Sequence, residues 1–293
     1  MPSLLGIHHV TAIAGDPQRN VDFYHGLLGL RLVKVTVNFD DPGSYHLYYG
    51  DDRGSPGSIL TFFPWPRAPR GRIGTGQAGI TAFAIPRGSV EFWRKRLKLG
   101  RVEQRFGEEV LALEDPDGLK LELIASAPSG AHAIRGFHSV TLWEHDAEPT
   151  ASLLTQTLGF TSLDREGNRA RYAAGNSLVD VLSLPGTPRG WVSAGTVHHV
   201  AWRSPDDEDQ KAWRARIRGS TPVIDRQYFH SIYFGEPGGV LFEIATDPPG
   251  FAVDEPPDQL GTTLRLPPWL EPERDQIRRA LPKFRLPSGV EFP

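Results

Sequence analysis

Two short segments carry paired histidines, and a third carries a glutamate among apolar residues. The first two are GIHHV, with His8 and His9, and TVHHV, with His198 and His199; the third is GVLFEIA, with Glu243. Two imidazoles and one carboxylate form the facial ligand set of non-haem Fe(II) oxygenases, and zinc hydrolases use the same set. Three ligands on one side of a metal leave positions open, where a substrate oxygen and O2 can bind side by side.

The paired histidines lie in segments that are typical of β-strands. Successive side chains of a strand point to opposite faces of the sheet. Strict alternation therefore separates His9 from His8 and His199 from His198. One histidine of each pair is expected on the face that could bind a metal.

Glu243 is expected to point into the concave side of its sheet. Its neighbours Phe242 and Ile244 are apolar and would pack against a covering helix on the other side. A carboxylate in an enclosed space is costly unless it is paired or binds a metal. Glu243 is therefore a candidate ligand.

Other histidines and acidic residues are expected to have structural roles. Glu122 follows the same acidic-Pro-x-Gly turn as Glu243, but no histidine strand accompanies it. It is interpreted as structural. His46, His132 and His145 are expected at the surface or in structural contacts.

The chain repeats one organisation four times: a strand, a helix and three strands. The units run from about Leu5 to Trp65, from Ala78 to Ala125, from Arg135 to Leu184 and from Thr196 to Thr246. This pattern predicts an α+β fold of four tandem βαβββ modules that form two open barrels. If His9 and Glu243 share a metal, the first and fourth modules must pair.

The predicted domains are 1–130 and 131–250, each with two modules, followed by an extended tail at 251–293. The stretch Pro64–Gly76 is rich in proline, glycine and arginine, which is typical of a linker. The tail is rich in proline, and one short helix is predicted near Glu273–Leu281.

The composition excludes several classes of site and partner. The chain has no cysteine, which excludes disulfides, thiolate metal sites and a cysteine nucleophile. The net charge of −3 gives no electrostatic reason to expect nucleic acid or a membrane as a partner. The start MPSLLGIHHV lacks the features of a signal peptide, and no apolar stretch is long enough to span a membrane. A cytoplasmic protein is expected.

Several segments together resemble a known family. They are GIHHVTAIAG, RGFHSVTLW, TVHHVAWRSPD and FHSIYFGEPGGVLFEIATDPPGF. The four-module chain resembles the vicinal oxygen chelate superfamily, which includes glyoxalases, antibiotic-resistance proteins and extradiol dioxygenases. It is most similar to the hydroquinone ring-cleaving dioxygenases of that superfamily, from Leu5 to about Gly261.

The resemblance implies that His9, His199 and Glu243 are the metal ligands. It implies Fe(II) as the metal, and the same ligands suit Mn(II). Catechol-cleaving relatives take the first ligand from the third module, which leaves His138 as an alternative to His9.

The resemblance also implies a set of catalytic residues around the metal. Tyr233 would hydrogen-bond the substrate oxygen, and Arg226 would orient the substrate or stabilise negative charge. His198 would act as an acid–base group, and His8 would lie beside a ligand.

The predicted function is therefore ring cleavage of a hydroquinone-type aromatic by a non-haem Fe(II) dioxygenase, with a small aromatic substrate and O2 as partners. Two enzymatic alternatives stay open: a glyoxalase-like metal-dependent isomerase or lyase, and a catechol extradiol dioxygenase. A metal-free protein that binds an aromatic compound is a third. The sequence does not decide the oligomeric state, and a homo-oligomer stays open.

Overall fold

The computed structural model describes residues 2–293, which form four βαβββ modules in chain order. The first module consists of β1 (Ile7–Ala14), α1 (Pro17–Val21), β2 (Arg31–Asn38), β3 (Asp41–Gly50) and β4 (Ile59–Pro64). The second consists of β5 (Gln77–Pro86), α2 (Val90–Arg96), β6 (Glu103–Arg105), β7 (Glu108–Glu114) and β8 (Lys120–Ala127).

The second half of the chain repeats this arrangement. The third module consists of β9 (Phe137–Glu144), α3 (Glu148–Ser152), β10 (Thr161–Glu166), β11 (Arg169–Ala174) and β12 (Ser177–Ser183). The fourth consists of β13 (Thr196–Ser204), α4 (Asp207–Arg216), β14 (Ile224–Asp225), β15 (Phe229–Gly235) and β16 (Leu241–Pro249). The tail carries α5 (Arg274–Ala280), β17 (Phe284–Arg285) and β18 (Glu291–Phe292), and the predicted tail helix is confirmed.

The modules combine into two curled, eight-stranded sheets. The first sheet has the order β14-β15-β16-β13-β1-β4-β3-β2 and joins modules one and four. The second sheet has the order β10-β11-β12-β9-β5-β8-β7-β6 and joins modules two and three. The predicted α+β fold of four modules in two open barrels is confirmed, and so is the pairing of modules one and four. The domain boundaries at residues 130 and 250 stay a prediction.

Local sequence explains how the helix of module one begins and ends. Asp16 caps α1 by accepting a hydrogen bond from the backbone N–H of Arg19, and Pro17 takes the first helical position. The helix continues as a π-helical segment, Asp22–Leu27, and the chain then turns at Gly29, whose φ of 75° favours glycine. Module three repeats the π-helical segment at Leu153–Thr157, as expected for a duplicated unit.

The outer face of the first sheet packs against helices, which leaves the concave face for polar groups. Phe242 and Ile244 are fully buried on the outer side, in one cluster with Trp202 and with Trp213 of α4. This confirms the predicted packing on either side of Glu243. Burial of these large side chains supplies the hydrophobic stabilisation of the sheet.

The tail closes one end of the first sheet. Lys34 of β2 is fully buried and forms ion pairs with Asp254 and Glu255 of the tail. Phe251 packs against Tyr48 in the same region. Among residues 2–293, no helix is long and apolar enough to cross a membrane.

Candidate metal centre and substrate pocket

His9, His199 and Glu243 meet on the concave face of the first sheet. They lie on β1, β13 and β16, which are adjacent strands, and Ala201 pairs with both His9 and Glu243. The Nε2 atoms of the two histidines are 3.3 Å apart. Oε2 of Glu243 lies 3.2 Å from Nε2 of His9 and 3.0 Å from Nε2 of His199.

This triangle fits a divalent cation. Ligand atoms at about 2.1–2.2 Å from an ion, at right angles to one another, are about 3 Å apart. Glu243 is fully buried, and its Oε2 has no donor in hydrogen-bond geometry within the described part of the chain. A buried charged oxygen without a partner is costly, and a bound cation would remove that cost. The donor set and the spacing are therefore compatible with a bound metal ion.

The protonation states also suit metal binding. Burial alone would raise the pKa of Glu243, but the adjacent imidazoles of His9 and His199 outweigh it and hold the pKa well below its usual range. Burial lowers the pKa of His199, and Glu243 offsets this only in part. An ionised carboxylate and a neutral imidazole are the forms that bind metals.

Two β-bulges place the second histidine of each pair beside its neighbour. Between β1 and β13, His8 is an extra residue on one strand and His198 is an extra residue on the other. A bulge turns the side chain of the extra residue away from strict alternation. Nδ1 of His8 lies 2.8 Å from Nδ1 of His9, and Nδ1 of His198 lies 2.7 Å from Nδ1 of His199. The predicted separation of the paired histidines onto opposite faces is wrong for this reason.

Each candidate ligand is also held by hydrogen bonds. The Nδ1–Nδ1 contacts fix the imidazole planes of His9 and His199, and Ser231 donates to Oε1 of Glu243. Such outer contacts orient ligands and commonly decide metal affinity. His8 is buried, contacts His9 and is not among the described residues that line the pocket, and its predicted catalytic role stays a prediction.

A pocket of about 320 Å³ opens directly over the triangle. Aromatic and apolar side chains form most of its wall: Phe39, Tyr48, Phe63, Trp65, Phe229 and Leu241. The ring of Phe229 lies 4.9 Å from that of His9. An apolar cavity of about 150 Å³ can hold benzene. This pocket therefore has room for one aromatic ring with substituents.

Tyr233 and Arg226 line the same pocket. Tyr233 is the cross-strand neighbour of Glu243, and its ring lies 5.7 Å from that of His199. Nε of Arg226 donates to the Tyr233 hydroxyl at 3.3 Å, and its guanidinium lies 5.4 Å from the Tyr233 ring. Burial and then Glu243 raise the pKa of Tyr233, so the phenol keeps its proton and can donate a hydrogen bond.

A family model described as "Glyoxalase/Bleomycin resistance protein/Dioxygenase superfamily" matches residues 6–123 and 136–244. The chain belongs to this superfamily. The two matched ranges each contain two of the four modules. Membership in the superfamily accounts for the fold. It does not by itself decide the reaction, because one fold can carry many functions.

Several relatives within the superfamily are similar over nearly the whole chain. A protein of Bacillus subtilis provisionally named ring-cleaving dioxygenase MhqO is 48% identical, over 96% of this chain and 97% of its own. The chlorohydroquinone/hydroquinone 1,2-dioxygenase of Sphingobium indicum is 34% identical, over 94% and 95%. A crystal structure of a provisionally assigned dioxygenase from Bacillus subtilis is 46% identical, covers 98% of this chain and 99% of its own, and superposes with a TM-score of 0.92.

In this member of the superfamily, the second sheet carries ion pairs where the first carries the triangle. Glu122 accepts two hydrogen bonds from Arg105, at 2.7 and 2.9 Å. His138 lies in the second sheet, where its Nε2 contacts Glu108 at 3.1 Å and its Nδ1 contacts Ser139. The geometry places His9, and not His138, beside His199 and Glu243.

Sequence reasoning missed several residues of the pocket, among them His46 and Asp40. His46 was expected at the surface or in a structural contact, but it lines the pocket. Its Nδ1 contacts the Tyr48 hydroxyl at 2.7 Å and its Nε2 contacts Thr61 at 2.8 Å. Both ring nitrogens of His46 are therefore already in hydrogen-bond contacts, so the residue offers the pocket the carbon atoms of its ring. Its place in the alternating strand β3, beside the aromatic Tyr48, was the only available signal.

The remaining histidines lie away from the pocket. His132 contacts Ser89 and stacks on Phe92, and His145 is exposed. His230 contacts Asp207 at the start of α4.

Proposed function

We propose that this protein is a metal-dependent dioxygenase that cleaves the ring of a hydroquinone-type aromatic compound. The observation that supports it most is the triangle of two imidazoles and one carboxylate at the base of an aromatic-lined pocket. Relatives named as ring-cleaving dioxygenases, one of them a hydroquinone dioxygenase, support the same reaction.

His9, His199 and Glu243 would hold Fe(II), and Mn(II) is the second candidate because it accepts the same ligands. The chemistry that such a metal supplies is ionisation of a bound phenol and activation of O2 at adjacent positions. Zinc prefers the same donors, so the identity of the metal is tested below.

The hydrogen-bond pattern decides which proton His198 can offer. A ligand histidine that binds through Nε2 carries its proton on Nδ1 and donates it to a neighbour. His199 would then donate to Nδ1 of His198, at 2.7 Å. His198 is left with its proton on Nε2, and burial and then His199 lower its pKa to about 3, so it stays neutral. As a neutral imidazole, His198 therefore donates a hydrogen bond from Nε2 to a bound oxygen and keeps its proton.

Tyr233 and Arg226 would position the ring and its oxygen. The Tyr233 hydroxyl accepts from Arg226 and keeps its own proton for the substrate oxygen. The guanidinium places a positive charge beside the oxygen where negative charge develops during cleavage. Phe63, Trp65 and Phe229 cover the faces of the ring and keep water out of the pocket.

The test is oxygen uptake by protein reconstituted anaerobically with Fe(II), Mn(II) or Zn(II). Air is then added with a panel of hydroquinones and catechols. The expected result is uptake of one O2 for each ring opened, with Fe(II) or Mn(II) only, and its loss in His199→Ala and Glu243→Ala. The substrate preference separates hydroquinone from catechol cleavage.

Two outcomes contradict the proposal in different ways. Stoichiometric metal without uptake on any aromatic would favour the isomerase or lyase alternative. Absence of bound metal under all loading conditions would favour a protein that only binds an aromatic compound.

A further inference from the structure

An ion pair joins the two edges of the first sheet at the rim of the pocket. Asp40 lies in the turn between β2 and β3, and Arg226 follows β14, so the pair spans the gap between the first and last strands of the sheet. Oδ2 of Asp40 accepts a hydrogen bond from Nη1 of Arg226 at 2.9 Å. Both residues line the pocket.

The pair sets the charge that a bound molecule meets. Among the described residues that line the pocket, Arg226 is the only lysine or arginine and Asp40 is the only acidic residue. The Arg226 side chain is 19% exposed, whereas that of Asp40 is 72% exposed. A guanidinium facing an aromatic pocket would ordinarily attract a carboxylate, because planar bidentate pairing is its preferred interaction. Asp40 already supplies that carboxylate.

We infer that Asp40 is a specificity-determining residue, which occupies the guanidinium of Arg226 so that the pocket selects uncharged phenols over aromatic carboxylates. A carboxylate on the ring could pair with Arg226 only by displacing Asp40. The two negative charges, of the ligand carboxylate and of Asp40, would then lie near each other. An uncharged phenol leaves the ion pair intact and meets only the Tyr233 hydroxyl and the outer part of the guanidinium.

The same pair favours release of the product, a consequence that rests on the proposed function. Cleavage breaks the bond between the hydroxyl-bearing ring carbon and its neighbour, and each of these carbons gains one atom of O2. The first becomes a carboxyl group and the second, if it carries hydrogen, an aldehyde. The carboxyl group then loses its proton to solvent. The substrate is uncharged and the product is an anion, which Asp40 disfavours in the pocket.

The test compares two ligands that differ in charge and hardly in shape. Binding of 4-hydroxybenzoate and 4-hydroxybenzamide to the full chain is measured by anaerobic titration calorimetry, with and without added Fe(II). The wild-type protein is expected to prefer the amide. Asp40→Asn frees Arg226 and is expected to tighten 4-hydroxybenzoate about fivefold, the scale of one partly exposed ion pair, with little change for the amide.

Two further variants control for charge and for the ion pair. Asp41→Asn removes the same charge at the next residue, which is exposed and not among the described lining residues, and the ratio of the two affinities is expected to stay as in the wild type. Asp40→Glu restores a carboxylate and is expected to restore the preference for the amide. In Arg226→Met, replacing Asp40 is expected to change nothing further.

An unchanged affinity ratio in Asp40→Asn would overturn the inference, and so would an equal shift in Asp41→Asn. The outcome is independent of the reaction. Charge selection that responds to Asp40 in a protein without ring cleavage would refute the proposed function alone. Full ring cleavage without such selection would refute the role of Asp40 alone.

Discussion

Glu122→Gln and Glu243→Gln are expected to have opposite effects, although both glutamates occupy the same position of the repeated module. Glu243→Gln removes a proposed metal ligand, whose Oε2 lies 3.2 Å from Nε2 of His9 and 3.0 Å from Nε2 of His199 but has no donor in hydrogen-bond geometry within the described residues. Metal binding and oxygen uptake are expected to be lost, while the metal-free protein loses less stability than Glu122→Gln does. Glu122→Gln is expected to keep metal and activity and to lose stability.

The loss in free energy of unfolding expected for Glu122→Gln follows from the contacts of Glu122 with Arg105. The two hydrogen bonds measure 2.7 and 2.9 Å, and the side chains of Arg105 and Glu122 are 13% and 5% exposed. Breaking a fully buried pair costs about 3–5 kcal/mol. Glutamine keeps one acceptor oxygen and Arg105 keeps some access to water, so about 2–3 kcal/mol is expected here. For a chain of this size that corresponds to a fall in Tm of roughly 3–5 °C.

The assay measures both properties on the same preparations. Thermal unfolding of the metal-free proteins is followed by circular dichroism, and metal content and oxygen uptake are measured after reconstitution at 20 °C or below, on the order of 30 °C under typical unfolding temperatures. Glu109→Gln is the matched control. It makes the same change on the exposed face of β7. The Glu109→Gln substitution is expected to affect neither Tm nor oxygen uptake.

Loss of metal from Glu122→Gln, with full metal in Glu243→Gln, would show that the metal binds in the second sheet and not in the first. A fall of Tm in the metal-free Glu243→Gln protein as large as that in Glu122→Gln would show that Glu243 contributes a structural ion pair. Either result would refute the reasoning from the two sheets.

Three further predictions concern single side chains. Ser231→Ala removes the donor to Glu243 and is expected to weaken metal affinity about tenfold, as measured by competition with a chelator; unchanged affinity would contradict a role in orienting the ligand. Tyr233→Phe is expected to lower kcat for ring cleavage about 100-fold with metal content unchanged, and loss of metal instead would show that the hydroxyl supports the ligands. Burial and then Glu236 raise the pKa of Glu144 from 4.5 to about 8, so the folded protein binds this proton more tightly and loses the associated stability as pH rises between those values. Glu144→Gln should therefore raise Tm more at pH 8 than at pH 5, and an equal rise at both would contradict the raised pKa.

The fold could be predicted because the modules repeat and their strands alternate. The order of strand, helix and three strands recurs four times, and the π-helical segment recurs as well. The pairing of modules one and four followed from one chemical condition, that His9 and Glu243 reach the same ion. A shared ligand set carries information about distant contacts that hydrophobic periodicity lacks.

The bulges could not be predicted from the sequence. Alternation placed His8 and His198 on the outer face, whereas each is an extra residue that turns toward its neighbour. A bulge changes the register by one residue and leaves the composition of the strand unchanged. The direct Nδ1–Nδ1 contacts could therefore not be predicted from the alternation of side chains.

The ion pair of Asp40 with Arg226 was hidden for a different reason. The two residues are 186 positions apart, and they meet only because the curled sheet brings its first and last strands together. Neither lies within a regular strand, so no periodicity marks them. His46 was underestimated because a single histidine in a strand has no partner in the sequence to indicate its neighbours.

The order in which the two sheets can form follows from where their strands lie in the sequence. The second sheet uses strands from Gln77 to Ser183 without interruption, whereas the first needs Ile7–Pro64 and then Thr196–Pro249. On the ribosome, at about 5–20 residues per second, β1 waits roughly 10–40 s for its partner β13 to be synthesised. During that interval half of the first sheet has an unpaired central edge, which can pair with another chain. The proposed metal centre is therefore assembled last, because its residues come together only after both ends of the chain have paired in the first sheet.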